Sequence, residues 1–359
     1  MAVSPWQWLW DYEFQALSEG DEQRLRLVAW HRDGYRLSPD SPDEKLAVYA
    51  AGRDMARQMG EPWWEMFYEH WFIEVLLFGK HEPQRALDHA IRAVLETSKP
   101  QFDHFPQRVS LQMNLAAAYM GIDAIGYETE LRAVFSHIKS LCADCAEQQV
   151  YYLQLWGYFL ELIEDEGAID AALEYLAGAE DEGSDHYIWD ALSMLCTALV
   201  RFDEAAARSQ LRELAMAGEE IARREGRSRG VCTFQMWQAL GARFEGDEAQ
   251  AKRQYRRAMT LQKRLTKPQN SALFGAMKFH EAGGELERAL QICQADIRIL
   301  QAHRLTFVVA QRRLEKCQLL KQMGRDFDKD AKRLRRVAAG MKSKSHWEAR
   351  LAELEAKGV

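Results

Sequence analysis

Apolar residues recur along this chain at intervals of three and four, the spacing that lines one face of an α-helix. No segment reads as a strand, because the short Val-Val pairs lack both alternation and flanking hairpin turns. In Val150 to Ile163 one stripe runs through Tyr152, Trp156, Phe159 and Ile163, and a second through Tyr151, Leu155, Tyr158 and Leu162. A helix apolar on so many sides must be sandwiched between others. Ala251, Tyr255, Ala258 and Leu261 instead make one narrow stripe with Lys252, Arg253, Arg256 and Arg257 around it, which predicts a helix on an outer layer.

Start and stop signals punctuate the pattern. Ser41-Pro42-Asp43-Glu44 offers an N-cap, a proline at the first helical position and a glutamate at the capping-box position. Pro62, Pro83, Pro106 and Pro268 fall near other predicted starts, and no proline interrupts Gln107 to Lys267. Gly60, Gly79, Gly121, Gly226, Gly246, Gly284 and Gly324 follow apolar runs, where a left-handed C-terminal residue is wanted. Ser345 and Glu348 predict a capped last helix from Ser345 to Ala356.

The elements repeat. First helices of successive hairpins are expected near Pro62, His104, Cys145, Ser184, Arg229, Pro268 and His303, a stride of about 40 residues. That predicts an N-terminal helical cap over 1–61, a stack of seven hairpins over 62–340 and a C-terminal capping helix over 341–359.

Several of these residues resemble the tetratricopeptide repeat. Asn114-Leu115-Ala116-Ala117-Ala118-Tyr119 is similar to its first-helix motif, with Leu115, Ala116 and Tyr119 in the Leu, small and aromatic places. Gly246-Asp247 with Ala251, Tyr255 and Ala258 resembles its turn and second helix; Gly284-Glu285 with Ala289 repeats the turn half; Trp237, Leu240, Gly241 and Phe244 resemble the first helix again. The stride is longer than the family's usual ~34 residues and looks like the long-helix arrays of bacterial regulators and sensors. The resemblance implies an all-α, right-handed α-α superhelical solenoid with a concave surface lined by first helices. It also implies a groove contact for Asn114, with Arg108 beside it. The positions that would complete a carboxylate clamp offer Leu155 and Asp190, so capture of a C-terminal carboxylate is not expected.

Composition adds bounds. The 359 residues are 47% apolar and 28% charged with only 8 Pro, which excludes disordered and collagen-like classes. The net charge of −7 conceals an imbalance: residues 1–250 carry 22 Lys+Arg against 43 Asp+Glu, and residues 251–359 carry 25 against 11. Such a dipole bears on partners and suggests head-to-tail self-association. Met1 to Phe14 lack a basic leader, and the apolar runs are too short to span a bilayer, so a cytoplasmic protein without membrane contact is expected. Six irregularly spaced cysteines read as reduced, and Cys142 and Cys145 as incidental residues of an inter-helix connection.

No phosphate loop, nucleophile elbow or zinc-helix motif is present in the sequence, so neither catalysis nor a cofactor or metal is expected. The aromatic run Trp63, Trp64, Phe67, Tyr68, Trp71 and Phe72 should pack largely against neighbouring helices. His70 and Glu74 share a face beside Trp63 and Phe67, so this edge, with Arg108 and Asn114, is the candidate groove strip. Arg312, Arg313, Lys316, Lys332, Arg333, Arg335 and Arg336 form a candidate basic patch, though without the interleaved aromatics of single-strand binders, and nucleic acid is not the expected partner. The sequence thus predicts a non-catalytic adaptor or scaffold holding a protein or peptide in its groove. The alternative is a regulatory sensor for a signal peptide or small molecule whose basic end contacts nucleic acid or an acidic partner.

Overall fold

The computed structural model describes residues 6–38, 40–265 and 270–356, and among these the chain is all-α, with no strand. By internal contact it divides into two compact units, residues 1–152 and 153–359. This division falls inside a helix.

The first unit holds α1 (Gln7–Glu19), α2 (Glu22–Arg36), α3 (Pro42–Met59), α4 (Pro62–Glu74), α5 (Pro83–Thr97), α6 (Arg108–Asp123), α7 (Glu128–Leu141) and the beginning of α8 (Ala146–Leu162). A π-turn at Val75–Gly79 ends α4, and a 3-10 turn at Pro100–Phe102 precedes α6. The second unit continues through α9 (Ala168–Glu182), α10 (Asp185–Phe202), α11 (Glu204–Arg224), α12 (Ser228–Phe244) and α13 (Glu248–Gln262). It ends with α14 (Asn270–Ala282), α15 (Leu286–Ala302), α16 (Thr306–Gln322), α17 (Asp328–Ala338) and α18 (Lys344–Ala356).

The even-numbered helices begin close to the expected starts, at Pro62, Arg108, Ala146, Asp185, Ser228, Asn270 and Thr306. Pro268 lies outside the described residues. From α1 to α7 and from α9 to α18, neighbours in sequence are neighbours in space. In addition α4 touches α6 in the first unit, and α10 touches α12, α12 touches α14 and α16 touches α18 in the second. The packing within each unit is therefore repeat-like.

Small residues set the spacing. A Cβ at Gly52 would stand 2.5 Å from the Tyr68 ring, and one at Gly218 would collide with Phe234, so each glycine admits an aromatic ring of the following helix. Gly241 brings α12 directly against the backbone of α11, where an added Cβ would lie 3.0 Å from Arg212 N and 3.1 Å from its Cα. Ala251 and Ala258 are wholly buried on α13 while the cations around them are exposed, as an outer-layer helix requires.

Some local signals are used differently. The Ser41 side chain makes no capping bond, although Pro42 does open α3. The last helix starts at Lys344, before Ser345, and it is Ser343 whose Oγ accepts from Trp347 Nε1 at 2.9 Å. Gly60, Gly226, Gly246, Gly284 and Gly324 have φ between 64° and 82°, whereas Gly79 and Gly121 do not enter the left-handed region. Gly79 belongs to the π-turn, and Gly121 lies within α6 against Pro83.

The first unit's core is aromatic. Trp8 of α1 meets Trp63, Trp64, Phe67 and Phe105 edge-on at centroid distances of 5.4 to 5.9 Å. In the second unit the end of the chain returns to its beginning: Gln311 Nε2 on α16 donates to the Leu162 carbonyl at 2.7 Å, and Arg350 on α18 pairs with Glu164 at 2.6 Å. Among the described residues no helix is long and apolar enough to cross a membrane.

Candidate functional site

The strip indicated by sequence sits mostly inside the first unit. Phe67 is wholly buried, and Trp63 is half-buried with its Nε1 donating to the Gln101 carbonyl at 3.1 Å. Asn114, 2% exposed, donates from Nδ2 to His70 Nδ1 at 2.8 Å and to the His70 carbonyl at 3.1 Å. Asn114 thus ties α6 to α4, which spends its amide on the fold. The same bond makes His70 Nδ1 an acceptor, so the ring is neutral. Burial, with His31 nearby, pushes the His70 pKa down to about 3. Burial alone pushes the Glu74 carboxyl up to about 7. Arg108 lies apart from this pair, 3.5 Å from Asp103.

On another face of α4, Glu69 holds Arg53 of α3 and His89 of α5, both at 2.6 Å, beside a cleft of about 330 Å3. Burial acts to raise the Glu69 carboxyl, but the bonds from His89 and Arg53 outweigh it and hold it below the usual range.

The second unit contains a denser constellation that sequence reading did not assemble. Phe274 of α14 is buried, and two guanidinium groups flank its ring, Arg201 of α10 at 4.6 Å and Arg312 of α16 at 4.9 Å. Arginine suits this place because its planar, weakly hydrated cation stacks on an aromatic face. Arg312 bonds Asp296 Oδ2 of α15 at 2.7 Å and both Glu315 oxygens at 2.5 and 2.7 Å. Arg201 faces Glu161 of α8 at 3.4 Å. Tyr158, one turn before Glu161, is 52% exposed.

The electrostatics follow from enclosure. Burial raises the Glu161 carboxyl, and Arg201 and Arg312 only partly restore it. Burial also acts to raise Glu315, but Arg312, Arg201 and Lys278 outweigh it and hold that carboxyl low. Asp190 accepts from Gln154 Nε2 at 2.7 Å and from the Tyr175 hydroxyl at 3.2 Å. The wall formed by α8, α10, α14 and α16 can therefore offer a ligand both signs of charge, an aromatic face and a phenol. Its signals in sequence were faint: Glu161 and Arg201 are single charges in or just after long apolar runs, and only folding brings them together.

The seven residues of the basic run divide. Arg312, Arg313 and Lys316 are buried, and Lys316 pairs with Asp330 at 2.9 Å. Lys332, Arg333, Arg335 and Arg336 are exposed on α17, where Arg333 meets Asp330 at 3.4 Å and Arg335 meets Glu355 at 2.6 Å. Arg312 and Lys316 are thus paired with acids inside the second unit, and Arg313 is buried beside them. Cys142 is buried at the end of α7 and Cys145 lies in the turn before α8, both as free thiols. Burial pushes the Cys142 thiol up, away from a reactive thiolate.

No family model matches the chain, and no curated protein matches it.

Proposed function

We propose that this protein is a right-handed tetratricopeptide-type solenoid of about seven hairpins, with helical caps at both ends, acting as a non-catalytic adaptor that holds a protein or peptide segment against its first-helix layer. The observation that carries this is the wall of even-numbered helices where Arg201 and Arg312 both lie over the Phe274 ring, Arg201 beside Glu161 and Arg312 bonded to Glu315. Its mixed charges suit a segment carrying both an acidic and a basic side chain, with Tyr158 as the accessible aromatic contact. Peptide-array selection with the full chain, followed by calorimetry on the best sequence, tests it. Tyr158→Ala and Glu161→Gln should each weaken binding about ten-fold, equivalent to about 1.4 kcal/mol. Peptide binding indifferent to both substitutions, or turnover of a substrate by the purified chain, would refute it.

The second candidate function, a sensor whose basic end contacts nucleic acid or an acidic partner, draws on the exposed cations Lys332, Arg333, Arg335 and Arg336 of α17. It requires DNA or RNA binding at low salt that weakens steeply as salt rises. Cytoplasmic residence and head-to-tail association belong to the same proposal; the latter requires a sedimentation coefficient that falls with added salt.

A further inference from the structure

Residues 249–280 contain no Asp or Glu, in a chain that has 54 of them, yet carry eight Lys or Arg. Within this stretch Lys252 and Lys278 have an acid in reach among the described residues, Glu248 at 3.7 Å and Glu281 at 2.8 Å. Arg253, bonded to the neutral Gln250 at 2.6 Å, and Lys263 are exposed without an ion pair there. Arg256, Arg257 and Arg264 are likewise exposed and make no ion pair among the described residues, and these three converge. All three line a cleft of about 370 Å3 between α11, α12 and the end of α13, together with Arg223 and Thr260.

The cleft's own chemistry does not balance these charges. No carboxylate lines it; Glu219, which bonds two of its lining residues, is taken by Arg223, Gln235 and Gln238. The C-terminal end of a helix favours a cation, which accounts for Arg264 just past the end of α13 but not for four guanidinium groups around one cavity. Val231 and Leu261 supply an apolar wall, and no aromatic ring lines the site on which a base could stack.

We propose that this cleft binds a phosphoryl dianion. Guanidinium forks match the tetrahedral oxygens in pairs, and two negative charges answer the excess left after Glu219 is satisfied, where a carboxylate would leave most of it unmet. The group can arrive as free phosphate or on a phosphorylated side chain, and the chemistry recognised is the same. The site is distinct from the Arg201–Phe274–Arg312 wall and does not depend on it.

Calorimetric titration of the full chain with inorganic phosphate, O-phospho-L-serine, a phosphoserine peptide and the same peptide unphosphorylated tests the assignment. Saturable one-to-one binding of at least one phosphorylated probe is expected, none of the unphosphorylated peptide, and at least a ten-fold loss in Arg257→Gln/Arg264→Gln. Lys332→Gln/Arg335→Gln on α17 should bind as the unmodified chain does. Equal affinity for phosphate and phosphopeptide supports the free ion as the source, and a stronger phosphopeptide supports the side chain. Circular dichroism of the variants separates lost binding from lost folding, and Arg257→Lys should retain binding within a few-fold. No saturable binding of any phosphorylated probe, or equal binding by the Arg257→Gln/Arg264→Gln variant, would overturn the assignment.

Discussion

Replacing Arg312 by Met removes a cation from between two carboxylates while keeping an unbranched chain of similar length. The Arg312 and Asp296 side chains are only 7% and 3% exposed, and their 2.7 Å contact places both charges out of water. Two unit charges about 4 Å apart attract by about 4 kcal/mol at an effective dielectric constant near 20, and desolvation of the two ions costs a comparable amount. The pair as a whole therefore adds little, but breaking it strands Asp296, at an expected cost of about 3–5 kcal/mol. Burial already raises the Asp296 carboxyl. Without Arg312 it rises further, so the loss should be greatest at pH 7.5 and shrink toward pH 5, as protonation removes the stranded charge. Asp296→Asn added to Arg312→Met should recover most of the loss. Urea unfolding followed by circular dichroism measures the effect, and hydrogen exchange should localise it to α15 and α16. A single variant within 1 kcal/mol of the unmodified chain at pH 7.5, or a loss unchanged by pH, would refute the reasoning.

Glu74→Gln should stabilise the chain above pH 7 by roughly 3 kcal/mol and have no effect near pH 4.5, because a carboxyl raised from 4.5 to about 7 opposes folding only where the unfolded chain has released its proton. His31, lowered to about 4, and His70, lowered to about 3, act in the opposite sense. The unfolded chain takes up their protons first, so the urea midpoint of the unmodified protein should fall as pH drops below 6.5. Asn114→Ala should cost about 1–3 kcal/mol in the same assay by leaving His70 Nδ1 and its carbonyl without their donor. Gly241→Val should cost more than the about 1–3 kcal/mol of ordinary overpacking, since it is the Arg212 backbone, not a movable side-chain end, that the new atoms meet; unchanged thermal unfolding would count against that close approach.

The helices were legible because their apolar spacing is local. Expected and observed starts agree to within one residue at Pro62, Cys145, Ser184 and Arg229. The start expected at His104 slips to Arg108 because a 3-10 turn and the bends after it occupy residues 100–107. Burial of charge was not legible. Arg312, Arg313 and Lys316 read as a cationic surface because Asp296 and Asp330 come from α15 and α17, and nothing in the run itself shows those helices covering it. Asn114 and His70, 44 residues apart, are buried against each other, and their mutual bond depends on the packing of α4 against α6. The Arg201–Phe274–Arg312 wall needs four helices at once, a condition no short window of residues can express.

The bonds from Gln311 to Leu162 and from Arg350 to Glu164 change how the second unit should come apart. In a linear row of modules, damage at one end frays inward and leaves the far end untouched. Here the final module is latched to the opening one, so trimming residues from the C-terminus loosens the first helix of the unit before it reaches the middle. Such a latch makes the row melt more as a loop than as a ladder, trading independent rungs for all-or-none behaviour.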